Sequence, residues 1–172
     1  LLKYSLDDCP KLTDIQQKMA RTRIFVGTTT AINNRLNLFT LKHFQLAIID
    51  EASQILEPDL MGILSAPHQQ HNAIDKFVLV GDYKQLPAIA QQSAEEAAVT
   101  DLLLRNIGLE DCRNSLFERL YKSSPDTCRS ILHKQGRMHP AIAEFPNQTF
   151  YYREQLESVP LPHQLEETPY EA

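Results

Sequence analysis

Two short apolar runs punctuate this chain, and each stops at an acid. Leu46-Ala47-Ile48-Ile49 leads into Asp50-Glu51-Ala52-Ser53-Gln54, and Lys76-Phe77-Val78-Leu79-Val80-Gly81 leads into Asp82. Runs of this length without alternation predict buried strands of a parallel sheet. Arg23-Ile24-Phe25-Val26 is a further strand candidate, broken at Gly27 into Thr28-Thr29-Thr30, with Gly27 allowing a tight turn. Ser130-Ile131-Leu132-His133 is another. Between these runs the apolar period changes to that of helices. Leu12, Ile15 and Met19 predict a helix over residues 6–20, capped at Thr13 or Asp14. Residues 33–43 predict a short helix or loop. Pro58 suits the first turn of a helix reaching residue 65, and a polar loop comes next over residues 67–72. Helical patterns cover residues 95–106 and 115–122, the latter with Leu116, Phe117 and Leu120 on its apolar face, and a last helix starts at Pro140 and reaches about residue 151. The tail from Arg153 holds Glu154, Glu157, Glu166, Glu167 and Glu171 among prolines, and reads as loosely ordered or as a linker. Strands alternating with helices predict an α/β fold, a mostly parallel sheet flanked by helices.

Composition narrows the class. A chain of 172 residues predicts one domain, with room for a fragment of a second. No apolar run approaches a membrane span, and Leu1-Leu2-Lys3-Tyr4 running into acids is no secretory leader. The pattern begins without Met and in mid-course, as expected of a piece of something longer. A net charge of −5 argues against a surface coated in basic residues but leaves room for a local nucleic-acid groove. Cys9, Cys112 and Cys128 are far apart and lack metal-ligand spacing, which predicts reduced thiols and a cytoplasmic setting, or a nuclear one in a eukaryote. His68 and His71 lack a second ligand pair, so no metal site is expected there.

Ligands of open α/β sheets bind outside the carboxyl ends of the strands. Asp50 and Glu51 fall at such an end. Two adjacent carboxylates can divide nucleotide hydrolysis, one holding Mg2+ and the other orienting or deprotonating the attacking water. Alone, the stretch reads more simply as a strand stopping at a solvated acidic turn. Likewise the Thr28 and Thr29 hydroxyls and amides suit phosphate oxygens, but alone they read as a Thr-rich strand end.

Three motifs reverse that balance. Ile49-Asp50-Glu51-Ala52-Ser53-Gln54, Val80-Gly81-Asp82-Tyr83-Lys84-Gln85-Leu86-Pro87 and Gln135-Gly136-Arg137-Met138-His139-Pro140 resemble, in order and spacing, motifs II, III and IV of the superfamily-1 helicases, in the upframeshift and Sen1-like branch. Ser115-Leu116-Phe117-Glu118-Arg119-Leu120 and Glu144-Phe145-Pro146-Asn147 resemble that branch too. The resemblance implies an incomplete RecA-like P-loop NTPase domain, with ATP and Mg2+ as cofactors and single-stranded DNA or RNA as partner. It implies that Asp50 coordinates Mg2+, that Glu51 activates water, that Gln85 senses the γ-phosphate and couples it to the nucleic-acid track, and that Arg137 is the arginine finger. Thr28 and Thr29 match the hydroxyl-bearing loop that touches the single-strand backbone. Such a finger is worth about 10³–10⁵ in rate.

There are departures. Ala88 stands where the branch has Pro or Gly, and Gly136 where it often has Tyr. The phosphate loop G-x-x-x-x-G-K-[ST] is missing, and no Gly-Lys pair occurs in the chain. The expectation is therefore a fragment. Residues 1–136 would be the later part of a first RecA-like motor domain, and residues 137–172 the start of a second with an acidic tail. The remaining helicase domains of a parent chain would complete it, and the oligomeric state is open. Two other readings compete: a catalytically dead module that grips a strand or partner, and an unrelated Mg2+-dependent phosphohydrolase using Asp50 and Asp82. The helicase reading carries a geometric expectation. Asp50, Glu51, Asp82 and Gln85 should converge at one edge of a parallel pair joined by the helix near Pro58, while the Arg137 side chain points to solvent or a local acid.

Overall fold

The computed structural model describes residues 11–165, and the chain divides into two compact units between Ser123 and Ser124. Glu166, Glu167, Glu171, Cys9 and the first residues of the expected opening helix lie outside the described residues.

In the first unit, helix α1 spans Leu12–Arg21 and is preceded by Lys11 without a side-chain cap, so Thr13 and Asp14 fall inside its first turn and not at its cap. Its C-terminal carbonyls are met from outside: the Lys42 ammonium donates to the carbonyls of Met19 (2.8 Å), Ala20 (3.3 Å) and Thr22 (2.7 Å). A cation there satisfies orphan carbonyls and complements the helix dipole. Helix α2 spans Thr29–Asn33, and a 3-10 turn comes after it over Leu36–Thr40.

Strand β1 (Ala47–Ile49), helix α3 (Glu57–Leu64), the small antiparallel ribbon β2 (Pro67–His68) and β3 (His71–Asn72), and strand β4 (Phe77–Leu79) form the centre. β1 and β4 pair in parallel, Ala47 opposite Phe77, Ile48 opposite Val78 and Ile49 opposite Leu79. The pairing extends beyond both strands, from the Phe44 amide on the Ala73 carbonyl (2.7 Å) to the Ala52 amide on the Val80 carbonyl (2.8 Å). A parallel pair needs a crossover, which α3 supplies, with Pro58 in its first turn. One face of the pair packs on the core of Phe39, Ile63, Ala66, Ala73 and Ile74, joined by Ile32, Leu36, Phe44 and Ala47. Leu60 on α3 is fully buried.

Beyond the α1 cap, four expected strands and helices are corrected. First, Ile48 and Val78 on the opposite face are exposed. On the other face Ala47, Ile49 and Leu79 are half-buried and Phe77 is exposed, so the strands have one partly covered face among the described residues, where continuous apolar runs predicted two buried ones. Second, residues 23–26 form no strand: Ile24 and Val26 are exposed with no partner strand among the described residues, while the Phe25 ring meets Phe44 edge-on at 5.3 Å. Gly27 does not adopt a left-handed turn; the Ile32 side chain lies 3.3 Å from where its Cβ would be. Third, the helix expected over residues 95–106 is two, α4 (Ala94–Ala97) and α5 (Leu102–Asn106). Ser93 and Asp101 each cap a start, and Ala98 bridges Asp111 instead of continuing the helix. Helix α6 (Leu116–Ser123) closes the unit as expected, with Leu116 buried.

The second unit contains β5 (Lys134–Gln135), α7 (Pro140–Thr149), β6 (Glu157–Ser158) and α8 (Pro162–Leu165), with β5 and β6 parallel. The fourth correction lies here. The strand expected over residues 130–133 begins later, at Lys134, where Glu157 offers a partner, and Leu132 is exposed. Within the described residues the tail is held by amide contacts that composition does not reveal: Asn147 brackets Leu156, donating from Nδ2 to its carbonyl (2.8 Å) and accepting its amide (3.0 Å). The observed architecture is α/β with parallel strands and helices.

Candidate functional site

The parallel register puts the loops after β1 and β4 at the same end of the pair. Asp50, Glu51, Asp82 and Gln85 all belong to these two loops. The loops are held together by small residues. Ser53 is buried, and its Oγ accepts the Asp82 amide at 3.1 Å. At Gly81 a Cβ would stand 2.8 Å from the Ser53 backbone nitrogen, so only glycine permits this approach.

Beyond Ile49 the chain turns sharply. Asp50 Oδ1 accepts the Glu51 amide at 3.0 Å, and Glu51 adopts a left-handed backbone with φ of 52°. The next residue is fixed: Ala52 is fully buried and its amide is bound to Val80. The Glu51 carboxylate stays exposed, with the Gln54 amide nitrogen 3.4 Å from its Oε2. In the second loop Asp82 Oδ1 accepts the Lys84 amide (3.0 Å) and Oδ2 accepts from Gln85 Nε2 (3.0 Å), which ties the exposed Gln85 head to the acid at the strand end.

Helix α6 braces both loops. Arg119 donates from Nε to Glu57 Oε2 (2.8 Å) and from Nη2 to Glu57 Oε1 (2.5 Å), and from Nη1 to the Ile107 carbonyl (2.9 Å). Glu57 opens α3, a few residues beyond Glu51. Tyr121 of the same helix packs on Tyr83 with ring centroids 5.0 Å apart. The sequence offered Ser53, Gly81 and Arg119 only as parts of motifs, and Glu57 not at all. The signal that finds them is the placing of small residues just after both strands, and one buried acid facing one arginine.

Asp50 suits a hard cation. Its Oδ1 takes the Glu51 amide and its Oδ2 is left for a ligand, at an exposed strand end. Among the described residues no three His, Cys, Asp or Glu side chains converge as a metal cage. The open Asp50 oxygen is compatible with the way Mg2+ is held beside substrate phosphates, by one or two carboxylates and retained waters.

Thr28 caps α2, its hydroxyl accepting the Ala31 amide at 3.2 Å, and Thr29 begins the helix half-buried. Arg137 lies in the second unit, exposed, its guanidinium without a hydrogen-bond partner among the described residues. Its backbone is fixed, the Arg137 and Met138 amides both donating to Gln135 Oε1 at 3.0 and 2.8 Å. Cys112 and Cys128 are free thiols. No helix among the described residues is long and apolar enough to cross a membrane.

Residues 11–93 and 112–171 each match a family model described as an AAA domain. The chain is 30% identical over 155 residues to an uncharacterized ATP-dependent helicase of Methanocaldococcus jannaschii, covering 87% of this chain and 19% of that protein. It is 31% identical over 153 residues to the DNA replication ATP-dependent helicase/nuclease of Xenopus laevis, covering 87% of this chain and 12% of the relative. It is 38% identical over 109 residues to the regulator of nonsense transcripts 1 homolog of Neurospora crassa, covering 63% and 8%. The chain thus spans less than a fifth of the length of these relatives.

Proposed function

We propose, since this chain belongs to the upframeshift-like branch of the superfamily-1 helicases, that it is part of an enzyme coupling ATP hydrolysis to movement along single-stranded DNA or RNA. The observation that carries the reading is the gathering of two exposed carboxylates and a tethered glutamine at one end of a parallel pair. In this reading Glu51 accepts the proton of the attacking water, from an exposed position at the strand end. Asp50 would hold Mg2+, which when bound neutralises charge on the phosphates. Gln85 reads the γ-phosphate, and its bond to Asp82 sets where its head sits. Arg137 adds a cation where charge develops on the transferred phosphoryl. Thr28 and Thr29 meet the strand backbone, with the Thr28 hydroxyl already committed in part to its helix cap. In this reading the unit ending at Ser123 falls to the first motor domain and the unit from Ser124 to the second, an earlier boundary than the 136/137 expected from the motifs, and the remaining helicase domains of the parent chain supply what these residues lack. Reduced thiols suit a cytoplasmic or nuclear setting.

The test is steady-state phosphate release by the full-length parent protein, with and without single strand. Glu51→Gln should lower turnover by about 10²–10⁴-fold, the usual weight of a general base, while ATP still binds. A parent that binds single strand but shows no stimulated turnover would make the chain a binding module instead. This chain alone, lacking a Gly-Lys phosphate loop, should turn over no ATP.

A further inference from the structure

Gln164 is only 1% exposed and is one of the two largest fully buried side chains described. Its Oε1 is buried without a partner, and an orphaned acceptor is costly. The bonds made by its other end explain its presence. Nε2 donates to the Met138 carbonyl at 2.7 Å and to the Gln135 carbonyl at 3.2 Å. Those two carbonyls flank Gly136 and Arg137.

Two more side chains complete the enclosure. Gln135 Oε1 accepts the amides of Arg137 and Met138, while its Nε2 donates to the Met138 carbonyl (2.9 Å) and to Ser158 Oγ (2.8 Å). His163 Nε2 lies 2.8 Å from the Gly136 carbonyl, which can only accept, so that nitrogen carries the proton. Gly136 leaves room for α8 to approach, with Leu161 Cδ1 3.2 Å from where a Cβ would stand. The peptide groups around Arg137 are thus fixed by the neighbouring Gln135 and by Gln164 and His163 from far downstream, while its guanidinium is left without a partner among the described residues.

We infer that Gln164, working with Gln135, is a positioning residue for Arg137: it clamps the turn so that the exposed guanidinium is presented from a fixed backbone. The inference rests on the reading that Arg137 meets a phosphate. Positioning of a catalytic group is worth having because misplacement by about 1 Å can cost roughly 10²-fold in rate.

The experiment uses Gln164→Met, similar in length but unable to donate, in the full-length parent. Turnover number should fall by up to about 10²-fold with KM for ATP little changed. In an Arg137→Ala background the same substitution should cost nothing further, whereas a merely structural role would multiply the two losses and overturn the inference. A second readout does not depend on ATP hydrolysis. The Arg137 and Met138 amides should exchange hydrogen faster in Gln164→Met, by up to about tenfold for one net hydrogen bond, while the Ala143 amide of α7 keeps its protection. Unchanged exchange at Arg137 overturns the clamp even if the parent proves to have no ATPase, an outcome that would sink only the proposed function. Should Gln164→Met fail to fold, Ser158→Ala removes Gln135's other partner and should shift the same amides in the same direction; no shift there counts against the clamp.

Discussion

Replacing Arg119 by Leu should be among the most damaging single changes in the first unit. The guanidinium and the Glu57 carboxylate are 12% and 8% exposed at their side chains, and two parallel N–H donors meet two oxygens. Removing the arginine leaves a buried carboxylate unpaired and frees the Ile107 carbonyl as well. Breaking a buried pair from one side costs about 3–5 kcal/mol. For a chain of this size that is a fall of roughly 6–20 °C in Tm. The comparison is Lys122→Ala, which removes an exposed i,i+4 pair with Glu118 and should cost only about 0.3–0.5 kcal/mol. A third variant fixes the mechanism. Arg119→Leu combined with Glu57→Leu should recover most of the loss, because the penalty belongs to the stranded charge and not to the absence of the pair. Urea unfolding followed by far-ultraviolet circular dichroism measures all three. If Arg119→Leu costs no more than Lys122→Ala, or if the double variant is as unstable as the single, the brace is not the buried ion pair described.

The Arg113 guanidinium, hydrogen-bonded to Asp111 and assisted by the Arg113 amide, holds the Asp111 carboxyl below its ordinary value of 3.8. A depressed carboxylate stabilises the fold above its unfolded value, and this is lost as pH falls through the folded one. Asp111→Asn should therefore be less stable than the parent sequence near neutral pH, and the gap in urea midpoint should close as pH drops below 3.8; a gap that widens in acid refutes the sign. Binding of a labelled oligonucleotide by this chain alone should be weak and should fall with salt, since its net charge is −5. Anisotropy titrations at two salt concentrations decide it, and tight, salt-independent binding would contradict the expectation.

The parallel pair, its crossover helix at Pro58 and the loops at its carboxyl end were legible because short apolar runs ending in acids allow few arrangements. The misreadings have a common cause. Ile24, Val26, Ile48, Val78 and Leu132 carry the composition of buried strands, yet the described residues leave them exposed. An apolar run records that a surface suits burial; it does not name the covering surface or guarantee a hydrogen-bonding neighbour. The tail failed in the opposite direction. Residues 153–165 looked too polar to order, and they are ordered by Asn147, His133 and Gln164 bonding to backbone groups, interactions for which hydropathy has no symbol.

Two of the proposed functional side chains share a design that neither motif nor pattern displayed. Glu51 sits in the left-handed region at φ 52°, a conformation that disfavours a residue bearing a Cβ by about 1–2 kcal/mol. It is retained because the next two residues are anchored, with Ala52 buried and bound to Val80 and Ser53 bound to Asp82. The carboxylate is exposed while the backbone beneath it is held on its C-terminal side. At Arg137 no left-handed strain is needed, since Gln135 and Gln164 hold the surrounding peptide groups and leave the guanidinium unpaired. In both places the chain commits its backbone; the Arg137 head is left unpaired, and the exposed Glu51 head takes one long bond, 3.4 Å, from the Gln54 amide. A group meant only to stabilise the fold would be expected to spend its head on a neighbour, as Arg119 does on Glu57. A group meant for a transferring phosphate gains by having its reorganisation completed beforehand, and that contrast within one chain argues for Glu51 and Arg137 as working residues and Arg119 as a structural one.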